Sequence, residues 1–382
     1  MTTAAPARRL YRGGSVYSPA DPFATAMLVE GPTIAWIGPT EAAGAWTRDG
    51  DEIVELDGAL VTPAFVDAHV HLTEAGLRDT GLDLATVRSA EDLLDAVARA
   101  AAAQPGALIA GFGWDESRWE RGMRVPTRAE LDRAAGGAPV HLSRVDGHSA
   151  LVSSSLAAAG DLLGRTGWEE DAAISGDAHH AALHARWAAL TPTAAEAAHR
   201  AALRSAAALG IGSVHEMSGP WLAPPGDLAA LSALSGVGTH DERAAGREAL
   251  PDVVGYLAEL VTSEDDVRGV LDDAAAQGIT LAGIGGDLCV DGALGSRTAA
   301  LRADYADAVG ERGRLHLSTA QVRDHLHACT LGGVQAAFHA IGDAALDRMA
   351  AALEDVAAEL GVTAVASAGH RVEHAVAADA QI

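Results

Sequence analysis

Thr62-Pro-Ala-Phe-Val-Asp-Ala-His-Val-His-Leu72 is the stretch on which the reading of this chain turns. From Ala64 it is apolar and β-branched, then ends in polar groups, as a buried strand does where it leaves a sheet. Side chains at i and i+2 of a strand share a face, so His69 and His71 can reach one metal ion, and Asp67 lies on that face with them. The same spacing in His325-Leu326-His327 falls on a predicted helix, where positions two apart point about 200° from one another. That pair reads as solvated surface, not as a chelate. His180 and His184 are i, i+4 partners on another predicted helix, with His179 beside them. Lacking a His-Glu-x-x-His pattern, they read as exposed or lining groups.

Outward from this strand the chain changes character twice. Residues 1–61 carry short strands (Leu10–Tyr17, Ala26–Gly38, Glu52–Leu60) broken by Ser18-Pro19, Glu30-Gly31-Pro32 and Asp57-Gly58, and read as a small β part of three or four strands. Residues 75–200 are mixed, with a helix at Glu91–Ala103 and a capping box at Thr127-Arg-Ala-Glu130, and read as an insertion. After Thr193-Ala-Ala-Glu196, which reads as a helix cap, strands alternate with helices. The strands are Ile211–Met217, Val253–Leu260, Asp287–Val290, Val334–His339 and Arg371–His374. With 64–72 they make six short buried strands in βα units, an α/β pattern on a parallel sheet. A closed eight-fold barrel needs two more. His339 and His374 fall at the carboxyl ends of two of these strands, the end that faces the active site in barrels.

Composition narrows the function classes. With 27 basic against 52 acidic side chains, the net charge is −25, and such a surface repels phosphate backbones and anionic lipid. Nucleic acid and membrane partners are therefore excluded at this level, and a small-molecule substrate and a homo-oligomer are the expected partners. Every basic side chain is Arg, and the sequence contains neither Lys nor Asn. Two cysteines, Cys289 and Cys329, are too few for a disulfide framework or a cysteine-rich zinc site. No apolar signal core follows the start and no apolar run reaches about 18 residues, which points to the cytoplasm.

Thr62–Leu72 resembles the first-strand motif of the amidohydrolase superfamily. Five further blocks narrow the resemblance: Gly111-Phe-Gly-Trp-Asp-Glu116, Val140-His-Leu-Ser-Arg-Val-Asp-Gly-His-Ser149, Asp291-Gly-Ala-Leu-Gly-Ser-Arg-Thr-Ala-Ala-Leu301, Phe338-His-Ala-Ile-Gly-Asp343 and Arg371-Val-Glu-His374. Together they are similar to the amidohydrolase-3 (YtcJ-like) branch, which includes N-substituted formamide deformylases. The resemblance implies a TIM-like (β/α)8 metal-dependent hydrolase barrel over 62–382, and a β-sandwich part to which 1–61 contributes. It also implies a divalent metal, Zn²⁺, as one ion or two, and hydrolysis of a non-peptide carbon–nitrogen bond by metal-activated water.

Residue by residue, His69 and His71 match the first-strand metal pair, His339 the fifth-strand His and His374 the sixth-strand His. If His339 is not a ligand, the resemblance makes it a stabiliser of the developing oxyanion. Many relatives carry a carboxylated Lys four residues before Asp291-Gly292. Here that position is Asp287, so either its carboxylate bridges two metals, with a catalytic role, or it is a plain strand-end acceptor beside a single metal. Trp114, Arg144, His148 and Arg297 lie in blocks that resemble substrate-binding segments. Each has a plainer alternative: packing for Trp114, pairing with Asp146 for Arg144, a surface charge for Arg297. An inactive metal-binding fragment, and a deaminase or isomerase on the same barrel, are the competing functions.

The family's eighth-strand Asp has no counterpart after His374, so the 382 residues read as a member cut before its last two barrel strands. An open six-stranded sheet leaves two edges for other chains to pair with. Expressed alone, the chain is expected to aggregate, hold metal weakly and hydrolyse little; a monodisperse, fully active product in size-exclusion and activity assays would contradict this.

Overall fold

The computed structural model describes residues 7–120, 124–145, 147, 149–220, 222–235 and 248–380. Alternating and β-branched residues near the start form β1 (Arg8–Arg12), β2 (Ser15–Val16), β3 (Ala26–Glu30), β4 (Thr33–Gly38), β5 (Glu52–Glu55) and β6 (Leu60–Val61). A four-stranded sheet runs β4-β3-β1-β5, and β2 pairs with β6. Leu10 lies opposite Leu28 in the β1–β3 ladder, and both are buried with Ala26 and Ala43. The Glu30-Gly31-Pro32 turn needs the left-handed backbone that Gly31 supplies at φ 58°. The described chain falls into two units. One holds the residues up to Asp67 with Ala206–Ser213 and the segment ending at Asp252; the other holds Ala68–Ser205, Val214–Leu234 and the residues from Val253 onward.

The chain continues through β7 (Phe65–Val70), α1 (Leu72–Thr80), β8 (Leu82–Asp83), α2 (Ala90–Ala103), β9 (Ile109–Trp114), α3 (Arg128–Ala135), β10 (Val140–Arg144), β11 (Ser149–Val152), α4 (Ser154–Ala159), β12 (Ile174–Ser175), α5 (Gly176–Ala189) and α6 (Pro192–Ala208). Strands β8 to β12 form a five-stranded sheet of their own, ordered β12-β11-β10-β9-β8, over a core that includes Leu93, Val97, Trp114, Leu131 and Leu142. The capping box at Thr127 and Glu130 opens α3 as its sequence indicates. Helix α6 starts before the expected Thr193 cap. Thr191 Oγ1 accepts the Ala194 N–H, and Pro192 takes the first helical position, where its missing N–H costs nothing.

Then come β13 (Ile211–Ser218), α7 (Asp227–Leu234), β14 (Asp252–Leu257), α8 (Glu264–Ala276), β15 (Leu281–Cys289), α9 (Thr319–Leu331), β16 (Gln335–Ala340), α10 (Asp343–Leu360), α11 (Val362–Ala368) and β17 (Arg371–His374). The second large sheet has the order β17-β16-β15-β14-β13-β7, and the ladders from β14 to β17 are parallel. These are the six strands of the sequence reading on the expected α/β barrel plan. Ile284, Phe338, Val322, Leu326, Leu346 and Met349 make the apolar layer between its strands and the helices α9 and α10. Among the described residues no helix is long and apolar enough to cross a membrane.

Strand β15 starts six residues earlier than expected because Ala282-Gly-Ile-Gly-Gly286 imitates a turn. It is a bulged strand instead. Gly285 and Gly286 sit at φ 120° and 96°, the register with β16 shifts between Gly285 and Cys289, and a Cβ on Gly285 would lie 1.9 Å from the Ala337 carbonyl. Bulges re-aim the side chains that follow them, and the next residue is Asp287.

Just past β15, Asp291 is fully buried. Its carboxylate accepts the backbone N–H groups of Ala300 and Gly342 at 2.8 Å and of Ile341 at 2.9 Å. It thereby clips the loop after β15 to the start of α10. Asp291→Ala leaves these donors without a partner in the interior and is expected to cost about 3 kcal/mol of unfolding free energy in urea titration. A change below about 1 kcal/mol would contradict the clip.

Candidate metal centre

Alternation along β7 puts His69 on the face that His71 continues, one residue past the strand, at the cap of α1. The bulge of β15 turns Asp287 toward them. His339 lies on β16, and His374 ends β17 in the left-handed region, φ 68°, with Ala375 following at 45°. That backbone is costly for a residue with a Cβ and recurs at functional sites. His71 Nε2 is 2.9 Å from Asp287 Oδ2, and His69 Nε2 and His339 Nδ1 are each 3.7 Å from Oδ1. The His374 ring centre is 4.8 Å from that of His69 and 4.6 Å from that of His339. Two ligand groups result, His69–His71–Asp287 and Asp287–His339–His374, each with its donor atoms within 4.8 Å of one another. Asp287 belongs to both, and Asp67 to neither.

The outer nitrogens fix which inner nitrogen carries the lone pair. His71 Nδ1–H donates to the Met217 carbonyl at 3.0 Å and His339 Nε2–H to the Gly292 carbonyl at 3.1 Å; His69 Nδ1 faces the Glu373 carboxylate at 3.0 Å. In the neutral rings the remaining lone pairs, on Nε2 of His69 and His71 and Nδ1 of His339, all face Asp287. Acceptors set against a carboxylate repel unless a proton or a cation stands between them. Neutral imidazoles with a carboxylate are the donor set of a borderline divalent cation, so the residues fit one.

The electrostatics agree. Burial alone would push the His71 and His339 imidazoliums down in pKa, but the Asp287 carboxylate outweighs it and both end raised. Burial would push Asp287 up, and the hydrogen bonds from His339 and His71 hold it well below the usual carboxylate range. His374 is lowered, by burial and then by the charges of His339 and His69. Beneath the site Glu216, 1% exposed, accepts the Leu72 N–H at 2.7 Å, and burial raises it to about 8.

Other residues singled out in the sequence lie elsewhere. Trp114 is 1% exposed, its indole N–H donating to the Leu142 carbonyl at 2.8 Å inside the five-stranded sheet, so its ring packs. Arg144 pairs with Asp115 and Glu116. Arg297 is exposed and pairs with Asp307 at 2.9 Å. His148 and Asp146 lie outside the described residues. His180 and His184 are exposed, whereas His179 is buried against His141, ring centres 5.7 Å apart. The reading of His325 as solvated surface is corrected. It is fully buried, accepts the Val261 N–H through Nδ1 and donates from Nε2 to the Ile284 carbonyl, and burial lowers it to about 4. The helix turns His325 inward and leaves its i+2 neighbour, His327, half-buried against Glu359, so the pair does not chelate. Sequence reasoning gave no role to Glu216, Arg371 or Glu373. The last two lie in a quoted block, and their i, i+2 spacing on β17 was the available signal.

Imidazoles and a carboxylate gathered on parallel strands define an α/β metal-centre protein. Residues 52–382 match the model of the amidohydrolase family, and the chain belongs to that family. It is 26% identical over 367 residues to the protein LONG AFTER FAR-RED 3 of Arabidopsis thaliana, covering 93% of this chain and 61% of that one. Over 145 residues it is 34% identical to the N-substituted formamide deformylase of Arthrobacter pascens, 37% of this chain and 26% of the relative. The chain thus spans less than two thirds of either curated relative. The crystal structure of a metal-dependent hydrolase from Pyrococcus horikoshii is similar at TM-score 0.75 and 27% identity, over 98% of this chain and 72% of that one.

Protons and metal compete for the same nitrogens. Because the raised His71 and His339 carry protons to higher pH in the metal-free protein, their contribution to its stability is fully present below the ordinary histidine pKa of about 6.5 and is lost as pH rises through their folded values. Metal affinity must run the opposite way and rise as pH climbs past the ordinary histidine value of about 6.5 and through those raised values. Isothermal titration of the stripped chain at several pH values tests this, and pH-independent affinity would contradict it.

Proposed function

We propose that the chain carries the metal centre of a hydrolase acting on carbon–nitrogen bonds other than peptide bonds, with amide or N-formyl compounds as the substrate class and zinc as the metal. The observation that supports this most is Asp287, shared by two histidine groups in a chain of the amidohydrolase family. The similarity to an N-substituted formamide deformylase supports the substrate class. The carboxylate shared between the groups gives room for one ion or two. A cytoplasmic location belongs to the same proposal, supported by the two free cysteines.

When bound, the cation supplies a Lewis acid and brings the pKa of water from 15.7 down to about 7. His69, His71 and His374 would hold it as neutral donors. Asp287 is ionised at neutral pH and serves as an oxygen ligand, not as a proton donor. His339 has its Nε2–H engaged by Gly292, which leaves only a lone pair on Nδ1. We therefore assign it as a ligand over the alternative of an N–H donor to an oxyanion. His339 and Gly292 come from β16 and from the loop that Asp291 clips, so the clip also sets that nitrogen's direction.

The zinc-loaded chain at high concentration, given N-substituted formamides, is expected to release formate slowly, with release abolished by a chelator and by His71→Ala. Formate release that persists in His71→Ala, or in metal-free protein, would refute the proposal. Asp287→Ala is expected to lower the zinc content measured by atomic emission; content equal to wild type would remove Asp287 from the ligand set.

A further inference from the structure

We propose that Arg371 and Glu373 are a positioning pair that fixes the orientation and tautomer of His69 for metal binding. The inference rests on the metal reading of the histidine cluster and assigns a task to two groups outside its ligand set.

Arg371 and Glu373 are i, i+2 on β17 and share its inner face, while the left-handed turn at His374 redirects the next side chain toward His69 as well. Glu373 is 5% exposed. Its Oε2 lies 3.0 Å from His69 Nδ1, and both its oxygens are gripped by one guanidinium, Arg371 Nε to Oε1 at 2.8 Å and Nη2 to Oε2 at 2.9 Å. The same guanidinium donates from Nη2 to the Ala68 carbonyl at 2.6 Å and from Nη1 to His215 Nδ1 at 2.7 Å and Tyr256 Oη at 3.1 Å. Its carbon stands 4.8 Å from the Tyr256 ring centre. Arg371 therefore reaches β7, β13 and β14 from β17.

Strands β7 and β17 are the two ends of the sheet order. What passes between them is carried by side chains: His69 to Glu373, and Arg371 to the Ala68 carbonyl, one residue before His69. A carboxylate that takes an imidazole N–H sets the tautomer and makes the opposite nitrogen a better donor. Glu373 by itself would add a second buried negative charge beside Asp287. Arg371 neutralises it and fixes its plane through a two-pronged contact that a Lys ammonium does not reproduce.

The test is titration of the metal-stripped full chain with cobalt(II), following absorbance and heat, for wild type, Glu373→Gln, Glu373→Ala and Arg371→Lys, with circular dichroism as the folding control. Glu373→Ala is expected to weaken cobalt binding roughly 10- to 100-fold and to shift the cobalt absorption bands. Glu373→Gln keeps an acceptor for His69 Nδ1–H and is expected to recover most of that loss. Arg371→Lys should fall between them. In a His69→Ala background Glu373→Ala should have no further effect, whereas a merely structural Glu373 would weaken binding equally in both backgrounds. If Glu373→Ala does not fold, Arg371→Lys against wild type, with and without His69, carries the same comparison. A wild type that binds cobalt while Glu373→Ala binds within about twofold of it overturns the inference alone. Wild-type protein that takes up no cobalt overturns the metal reading and the inference with it.

Discussion

Three imidazole lone pairs aimed at one carboxylate form the constraint on which the rest of the site depends. With Asp287 held in its ionised form, the arrangement is repulsive until positive charge enters it. Protons and divalent cations are the two candidates for that charge, and they compete for the same atoms. The surrounding structure keeps the conflict in place. The Met217 and Gly292 carbonyls and the Glu373 carboxylate occupy the outer nitrogens, so the rings cannot turn away without losing a partly buried hydrogen bond.

The scaffold meets this constraint by local departures from regular structure. The glycine bulge in β15 turns Asp287 inward, the left-handed backbone at His374 turns a ring that strand alternation would send elsewhere, and Asp291 ties the loop carrying the Gly292 carbonyl to α10. Each is paid for by burial around it, chiefly the apolar layer that includes Phe338, Leu326 and Met349. A parallel sheet brings the ends of sequentially distant strands together, and these departures then aim residues 287 and 374 at 69 and 339.

Much of this was legible in the residues. His69-Val70-His71 sets two imidazoles on one face because strand periodicity is two, and the βα rhythm after residue 193 located five strands, all but β15 to within three residues of their ends. What escaped has physical reasons. Gly283 to Gly286 look like a turn because glycine is the usual turn residue, yet here they admit a neighbouring backbone within contact distance. His325 looked solvated because spacing on a helix excludes chelation but says nothing of which face is buried. Trp114 stood in a recognisable block, but a block records that a residue is kept, not whether its ring faces ligand or core. Arg371 and Glu373 share a face of β17 by local spacing, but their partners on β7, β13 and β14 are tertiary contacts that no local pattern names.

The lysine-free composition has a last consequence. A carboxylated lysine is a carbamate, formed after folding from dissolved carbon dioxide and lost again in acid. Asp287, standing at that place in the chain, is an encoded carboxylate that needs no such step. The carboxylate shared by the two histidine groups is present as soon as the strands are, independent of bicarbonate supply.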